Sequence, residues 1–199
     1  MTIKRGEAWG SGAPLPADGV VVGSDAEAGE VLEDARRHGR ALPVLGLVGG
    51  DLCRTLGGTG DRERLHSDAA MTFPVDLGEV LADGRIHLFV AHVVAGSRLR
   101  FLALNAQWLG DWNVGPRGHP NDGRLDVYEG QLSWFEWRQV RRRLPLGAHL
   151  PHPHIEERRV PAVQVTFPAP LPLHVDGRAL GDVHNLSVRV APDALRVVV

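Results

Sequence analysis

The segment from Pro145 to Pro161 carries the densest set of side chains that could do chemistry. It holds His149, His152 and His154, and a proline lies on each side of His152. A proline-held, extended backbone places alternate residues on one side, so His152 and His154 should project together. Three imidazoles can bind Zn²⁺, although this spacing is not a known zinc pattern. Packing of the loop, or hydrogen bonding to a substrate, is the alternative that the sequence favours.

Arginines lie inside this segment and just before it. Guanidinium groups bind phosphate through two parallel hydrogen bonds, so together they could form a local anion site. A solvated strand face is the simpler interpretation. With the three histidines, Arg158 completes a possible ligand loop. The five arginines are Arg141, Arg142, Arg143, Arg158 and Arg159.

Composition restricts the classes of partner. The chain has 22 basic and 24 acidic residues, which does not favour nucleic acid as a partner. Its only cysteine is Cys53, and its first ten residues contain no apolar run of the kind found in secretory signals, so we expect a cytoplasmic protein. No apolar run approaches the roughly 20 residues that cross a bilayer. We therefore expect no transmembrane segment, and peripheral membrane contact remains open.

Four tryptophans cluster in the predicted strand region. Aromatic side chains on a sheet face could bind an acyl chain, but packing in the core is the interpretation that the sequence favours. The four are Trp108, Trp112, Trp134 and Trp137.

The first third of the chain has the pattern of an α/β unit. Apolar residues predict strands at Gly19–Val22 and Val44–Val48, and helical spacing predicts a helix over Asp25–Arg40 between them. A glycine pair and a short helix at about Leu52–Leu56 follow. This order predicts one βαβ unit with parallel strands.

The rest of the chain is a series of short β-rich runs separated by prolines and glycines. Many closely spaced strands without long helices favour a sandwich or barrel. We predict an α+β fold, in which a truncated α/β lobe (residues 1–65) packs on an antiparallel β-sandwich (residues 66–199), with 145–161 as a long loop. The predicted strands are Phe73–Val80, Ile86–Val94, Leu99–Trp108, Leu125–Val127, Leu132–Arg141, Val160–Phe167, Leu171–Val175, Leu186–Val190 and Ala194–Val199.

One motif in the predicted sandwich is His-Pro-Asn-Asp-Gly-Arg-Leu-Asp-Val at 119–127. It resembles the "DDG.LDV" turn of bacterial diacylglycerol kinases, members of the NAD kinase-like superfamily, which holds a divalent cation. The resemblance implies Mg²⁺ ligands at His119, Asp122 and the backbone carbonyl of Arg124. Carboxylate and carbonyl oxygens suit Mg²⁺, whereas imidazole is a softer ligand. A plain Asn-Asp-Gly turn without a ligand is the alternative.

A second motif, Leu-His-Val-Asp-Gly-Arg at 173–178, resembles the same family's "DGE" turn. The resemblance implies that Asp176 is the base that takes a proton from the acceptor hydroxyl. Arg178 replaces the family's glutamate. We expect Arg178 to pair with Asp176 and to lower its pKa, which weakens the role of a base.

Two glycine-containing turns resemble the family's phosphate loops, "GGDGT" and "GGTGNDFARTLG". The resemblance implies that they contact ATP, but the first turn has lost two of three glycines and the second is shortened. Backbone N–H groups need glycine to approach phosphate closely, so we expect poor ATP binding. The residues at these positions are Gly23, Ser24, Asp25, Gly49, Gly50 and Asp51.

The resemblance extends over about 180 residues and gives two hypotheses for function. Because nothing before Gly19 matches the family's first α/β segment, the first is a diacylglycerol kinase-like protein that binds a lipid or phosphorylated small molecule, or acts as a scaffold, without catalysis. The second is an ATP- and Mg²⁺-dependent lipid kinase that acts on a diacylglycerol-like hydroxyl and is completed by oligomerisation. A reduced lobe should leave apolar surface uncovered, so we also expect a homo-oligomer such as a homodimer.

Overall fold

The computed structural model describes residues 9–199, and its first part is an α/β unit. Strand β1 (Ser11–Gly12) is followed by β2 (Val20–Val22), helix α1 (Asp25–Arg37), β3 (Leu45–Leu47) and helix α2 (Gly50–Thr55). Strands β2 and β3 are parallel, in register from Val20↔Leu45 to Val22↔Leu47. The predicted βαβ unit is confirmed. Residues 1–8 of the predicted lobe lie outside the described part.

Helix α1 forms where its capping residues and apolar spacing agree. Ser24 caps it, because its side chain accepts a hydrogen bond from the Glu27 N–H. Acidic residues occupy the first turn and arginines the last, which suits the helix dipole. Ala28, Leu32 and Ala35 are buried at helical spacing. This face packs on the core that the helix shares with the sandwich strands.

The remaining strands build one large, mostly antiparallel sheet that folds over an apolar core. Strand order along the main path is β1-β4-β13-β12-β6-β7-β10-β11, with β5 paired to β4 and β3 paired to β13; β8 and β9 form a separate hairpin. The bounds are β4 (Met71–Ala82), β5 (Arg85–Phe89), β6 (His92–Ala95), β7 (Phe101–Leu104), β8 (Trp108–Leu109), β9 (Trp112–Asn113), β10 (Leu125–Gly130), β11 (Ile155–Val160), β12 (Ala162–Val175) and β13 (Arg178–Val198).

The α/β unit and the sandwich share a sheet. The end of β13 runs parallel to β3, with Val197 opposite Leu45 and Val198 opposite Gly46. The same stretch pairs antiparallel with the start of β4. Backbone hydrogen bonds therefore pass without a break from the small unit into the sandwich. The predicted α+β class is confirmed, and the division at residues 65 and 66 stays a prediction.

One predicted strand, Leu132–Arg141, is wrong. Residues Trp134–Arg143 form helix α3, which starts at a capping box in which Ser133 and Glu136 each bond the other's backbone N–H. Within the helix, Val140 is the buried residue. The apolar and aromatic residues of this segment suit a sheet face, but the Ser-x-x-Glu signal at Ser133 indicates the start of a helix.

The predicted loop 145–161 is only partly irregular. Two short 3₁₀ turns occur in the described chain, at Arg64–His66 and Leu144–Leu146. Ile155–Val160 form β11, which pairs with β10 along its whole length.

Within residues 9–199 no helix is both long and apolar enough to cross a bilayer.

Candidate functional site

The two glycine turns of the sequence motifs lie side by side at the carboxyl ends of β2 and β3. The Val48 N–H donates to the Val22 carbonyl at 3.0 Å. A Cβ on Gly49 would lie 2.3 Å from the Gly23 oxygen, and one on Gly50 would lie 2.5 Å from Asp25 Oδ1. Gly50 also has φ +94°, a conformation that favours glycine. The structure thus brings the two motifs into contact.

Asp25 joins the two helices at this point. It occupies the first turn of α1 and accepts hydrogen bonds at the start of α2, from the Asp51 N–H at 2.5 Å and the Leu52 N–H at 3.2 Å. Burial, together with the charge of Asp176, raises the pKa of Asp25 to about 7. The carboxylate therefore takes the place at this helix end that an anionic ligand would need.

The other turn is closed by its own helix. The Gly23 N–H donates to Glu27 Oε2 at 2.7 Å, and the Glu27 N–H donates to Ser24 Oγ at 3.2 Å. These two hydrogen bonds, in which Glu27 accepts from Gly23 and donates to the Ser24 hydroxyl, close the start of α1 and need no ligand. Both predicted phosphate loops therefore have backbone N–H groups that already donate to acidic side chains.

Asp176 lies at the turn between β12 and β13 and is only 4% exposed. With φ +49° it starts a turn that Gly177 continues at φ +80°. The carboxylate accepts three backbone hydrogen bonds at 2.8–3.0 Å, from the N–H groups of Val90, Ala91 and His92. Burial raises the pKa of Asp176, against the opposing effects of His92 and these amides. The carboxylate is thus a buried acceptor that fixes the corner between β5 and β6.

The expected pairing of Arg178 with Asp176 is wrong. Arg178 donates to Glu33 Oε1 on α1 at 3.0 Å and to the Leu88 carbonyl at 2.9 Å. The pKa of Asp176 is raised rather than lowered, because burial outweighs its favourable contacts. Arg178 therefore attaches helix α1 to the sandwich.

His92 is a member of the cluster that sequence reasoning missed. Its Nε2 lies 3.0 Å from Asp51 Oδ2, and Asp51 also accepts the Gly110 N–H at 3.0 Å. Burial alone would lower the pKa of His92, but the hydrogen bond to Asp51 and the charges of Asp176, Asp51 and Asp25 raise it. Burial alone would raise the pKa of Asp51, whereas His92 and the Gly110 amide lower it. Both shifts favour a hydrogen bond that the His92 ring donates to the Asp51 carboxylate.

Asp25, Asp51 and His92 form a possible metal donor set. Their ligand atoms all lie within 4.8 Å of one another. Two carboxylates and an imidazole suit an ion such as Zn²⁺ or Mn²⁺ better than Mg²⁺, which prefers oxygen alone. The carboxylate oxygens of Asp25 and Asp51 already accept hydrogen bonds from backbone N–H groups, so an ion would compete with those N–H groups.

The predicted magnesium turn has its own internal partners. Asp122 Oδ1 accepts the Arg124 N–H at 3.0 Å, and the Arg159 guanidinium binds Oδ2. Asp76 Oδ2 accepts the Gly123 N–H at 2.6 Å, and burial raises the pKa of Asp76 to about 6. The His119 ring packs against Trp9 at a tilt, with ring centroids 4.3 Å apart. A guanidinium thus already neutralises Asp122, which favours the plain turn, and metal at this turn stays a prediction.

Asn105, also missed from the sequence, links this turn to the buried acidic cluster. Its Nδ2 donates to the Asp76 carbonyl at 2.8 Å and to the Val90 carbonyl at 3.0 Å. Val90 is one of the residues whose N–H binds Asp176. Three residues, Asp76, Asn105 and Val90, therefore connect the two motifs that resemble kinase turns.

The histidine loop does not converge on one point. His149 is buried beside Tyr128, with ring centroids 6.0 Å apart, and neither of its ring nitrogens has a hydrogen-bond partner within residues 9–199. His152 and His154 have centroids 5.9 Å apart, as their shared side predicts, and His154 also binds Glu136 on α3. Arg158 pairs with Glu129 and with Glu156. The described contacts hold this set by salt bridges and packing.

Solved structures of other proteins have a similar fold. Two crystal structures of a candidate diacylglycerol kinase from Bacillus anthracis str. Sterne are similar at TM-score 0.67, with 12% and 13% sequence identity, and each match covers 90% of this chain and 77% of the other. A structure of a diacylglycerol kinase from the same organism is similar at TM-score 0.54 and 13% identity, over 78% of this chain and 66% of the other. These likenesses concern the fold.

The sequence itself gives a further match. No curated protein sequence matches the chain. Residues 71–199, however, match the profile of the YegS C-terminal NAD kinase beta sandwich-like domain. Since that region is more than half of the chain and coincides with β4 to β13, the protein belongs to the family with this NAD kinase-like β-sandwich domain.

Proposed function

We propose that this protein is a diacylglycerol kinase-like binding module that does not transfer a phosphoryl group from ATP. One observation carries the proposal: at both phosphate-loop counterparts, backbone N–H groups already donate to an acidic side chain. Asp25 accepts from Asp51 and Leu52, and Glu27 accepts from Gly23.

A triphosphate at this position would meet like charges in place of free donors. It would have to displace the Asp25 carboxylate from α2 and lie close to Glu27 on α1. Phosphoryl transfer depends mainly on holding the phosphates and metal in line, with donors placed in advance. An arrangement whose donors are already used lacks that main catalytic device.

The ligand class of the module is inferred from its relatives. The similar structures are described as diacylglycerol kinases, and the matched domain is the NAD kinase-like sandwich. This supports a lipid or a phosphorylated small molecule as the ligand. Mg²⁺ and ATP then have no required part in binding.

Calorimetry and a phosphorylation assay test the proposal together. Purified protein is titrated with ATP and with ADP, each with and without Mg²⁺, and is then incubated with labelled ATP and diacylglycerol in mixed micelles. We expect no heat of nucleotide binding and no labelled lipid. Formation of labelled phosphatidic acid above the level of a no-protein control would refute the proposal.

A lipid kinase is the second candidate, favoured by the titration of Asp25. A buried carboxyl group whose pKa is raised to about 7 could exchange a proton near neutral pH, and strongly shifted pKa values are common at catalytic sites. In this case Asp176 remains the proposed base, as the resemblance implies. If labelled phosphatidic acid forms, Asp176→Asn should abolish it, while Asp182→Asn, an exposed carboxylate of β13, should leave it unchanged.

A further inference from the structure

Helix α3 and the turn after it present an unusual surface, here named the α3 patch and defined as residues 134–146. The described chain leaves five large hydrophobic side chains exposed, and three of them are in this segment. They are Trp134 at 54%, Phe135 at 73% and Leu146 at 80% exposure. The contiguous Trp134 and Phe135 rings lie 5.2 Å apart, so their apolar area is combined.

The core contacts of α3 explain which face is free. Val140 is buried, as is Leu144 at the end of the helix, and Trp137 packs on the same core. Trp134, Arg138 and Arg142 are spaced four residues apart and therefore share another face of the helix. All three are exposed. The Arg138 guanidinium lies 4.9 Å from the centroid of the Trp134 ring.

This free face is strongly basic. Arg138, Arg141, Arg142 and Arg143 are all exposed, and none of them forms a salt bridge with any residue from 9 to 199. The single acidic residue of the helix, Glu136, is occupied by the Ser133 N–H and by His154. The charge of the four guanidinium groups is therefore available to an external partner.

From this combination we infer that the α3 patch docks the protein onto an anionic lipid bilayer. Trp134 and Phe135 insert at the level of the headgroups, where amphipathic aromatic rings are favoured. The arginines lie over the lipid phosphates and bind them through two hydrogen bonds each. The inference is independent of whether the protein has kinase activity, because no residue of the patch belongs to the buried acidic cluster.

Charge decides between a bilayer and the alternatives. A hydrophobic ligand groove would not need four unpaired arginines. A second copy of this patch would place like charges against each other. An anionic membrane surface satisfies both the aromatic and the basic side chains, and each arginine near such a surface strengthens binding about fivefold.

Cosedimentation with vesicles tests the inference. The full chain is mixed with vesicles of phosphatidylcholine alone or of phosphatidylcholine with phosphatidylglycerol, at low and high salt. We expect binding to the anionic vesicles only, weakened by salt because the charges are screened. Arg138→Gln with Arg142→Gln should reduce the partition coefficient about 25-fold. Trp134→Ser with Phe135→Ser should reduce it about tenfold.

Two control variants separate the patch from general stickiness. Arg62→Gln with Arg117→Gln changes the net charge equally at exposed positions elsewhere. Leu81→Ser with Ile86→Ser removes two other exposed apolar side chains, on β4 and β5. Both controls should bind like the parent.

Four results would overturn the inference. The first is no binding to either vesicle, and the second is equal loss of binding in patch and control variants. The third is a loss caused by the arginine pair alone, which would indicate simple attraction to a polyanion. The fourth comes from light scattering: a patch variant that loses dimer mass without a change in vesicle binding would assign the surface to contact between copies of the chain.

Discussion

Asparagine in place of Asp25 should stabilise the protein, and the gain should grow as the pH rises. Burial and the charge of Asp176 raise the pKa of Asp25 from 3.8 to about 7 in the folded protein. The difference corresponds to about 4 kcal/mol. Because the folded-state pKa lies above the unfolded-state pKa, the stability is fully present below pH 3.8 and is lost as the pH rises through about 7.

These values give the size of the effect at two pH values. Ionisation of Asp25 in the unfolded chain lowers the free energy of unfolding by about 2 kcal/mol at pH 5 and by about 4 kcal/mol at pH 8. Asparagine avoids this loss but offers one acceptor oxygen where the carboxylate offers two, which costs about 1 kcal/mol at either pH. Asp25→Asn should therefore gain about 1 kcal/mol at pH 5 and about 3 kcal/mol at pH 8.

Urea unfolding followed by tryptophan fluorescence at both pH values measures the two gains. The matched control is Asp18→Asn, an exposed carboxylate that should change stability little at either pH. Comparison with the parent cancels the titration of groups remote from Asp25, and the remaining difference includes its neighbours His92 and Asp176. An equal gain at both pH values, or a loss at pH 8, would show that Asp25 is ionised in the folded protein at little cost.

Two further substitutions test the backbone and the buried histidine. Gly50→Ala should lower the free energy of unfolding by about 3 kcal/mol, since φ is +94° and a Cβ would lie 2.5 Å from Asp25 Oδ1. The control Gly57→Ala, at φ +76° with open space around it, should cost only about 1 kcal/mol. Similar melting temperatures for the two variants would contradict the clash. Burial lowers the pKa of His149 below 6.5, so the unfolded chain takes up a proton first and stability is lost as the pH falls from 6.5 towards the folded-state value. His149→Leu should remove that loss between about pH 7 and pH 5. If the melting temperature of variant and parent changed with pH in the same way, the prediction would be wrong.

The sequence predicted the elements whose local signals agree with their final environment. The helical spacing of Ala26, Val31, Leu32 and Ala35 placed α1 within three residues of its end. The contact between the two glycine turns follows from the confirmed parallel strands, since the carboxyl ends of neighbouring parallel strands lie at one edge of a sheet. The sequence predicted a strand at helix α3, because its aromatic residues suit strands equally well. The Ser133–Glu136 capping box is the sequence signal that indicates a helix there.

The chemistry of the cluster was less predictable, because its partners are far apart in the chain. His92 occurs as a single histidine in an apolar strand, and nothing in that pattern indicates Asp51 as its partner. Arg178 was assigned to Asp176 because they are two residues apart. The turn at Gly177 instead directs Arg178 towards Glu33 on α1. Burial then reversed the expected direction of the Asp176 pKa shift.

The shared sheet between the α/β unit and the sandwich has a consequence for biosynthesis. Strand β3 is made early, yet one of its two neighbours is the stretch around Val197 and Val198. The ribosome makes that stretch long after β3, so the apolar edge of β3 stays unpaired until the stretch emerges. Strand edges of this kind are prone to pair with other chains. Nascent chains of this protein should therefore depend on chaperones until the end of β13 is free to pair.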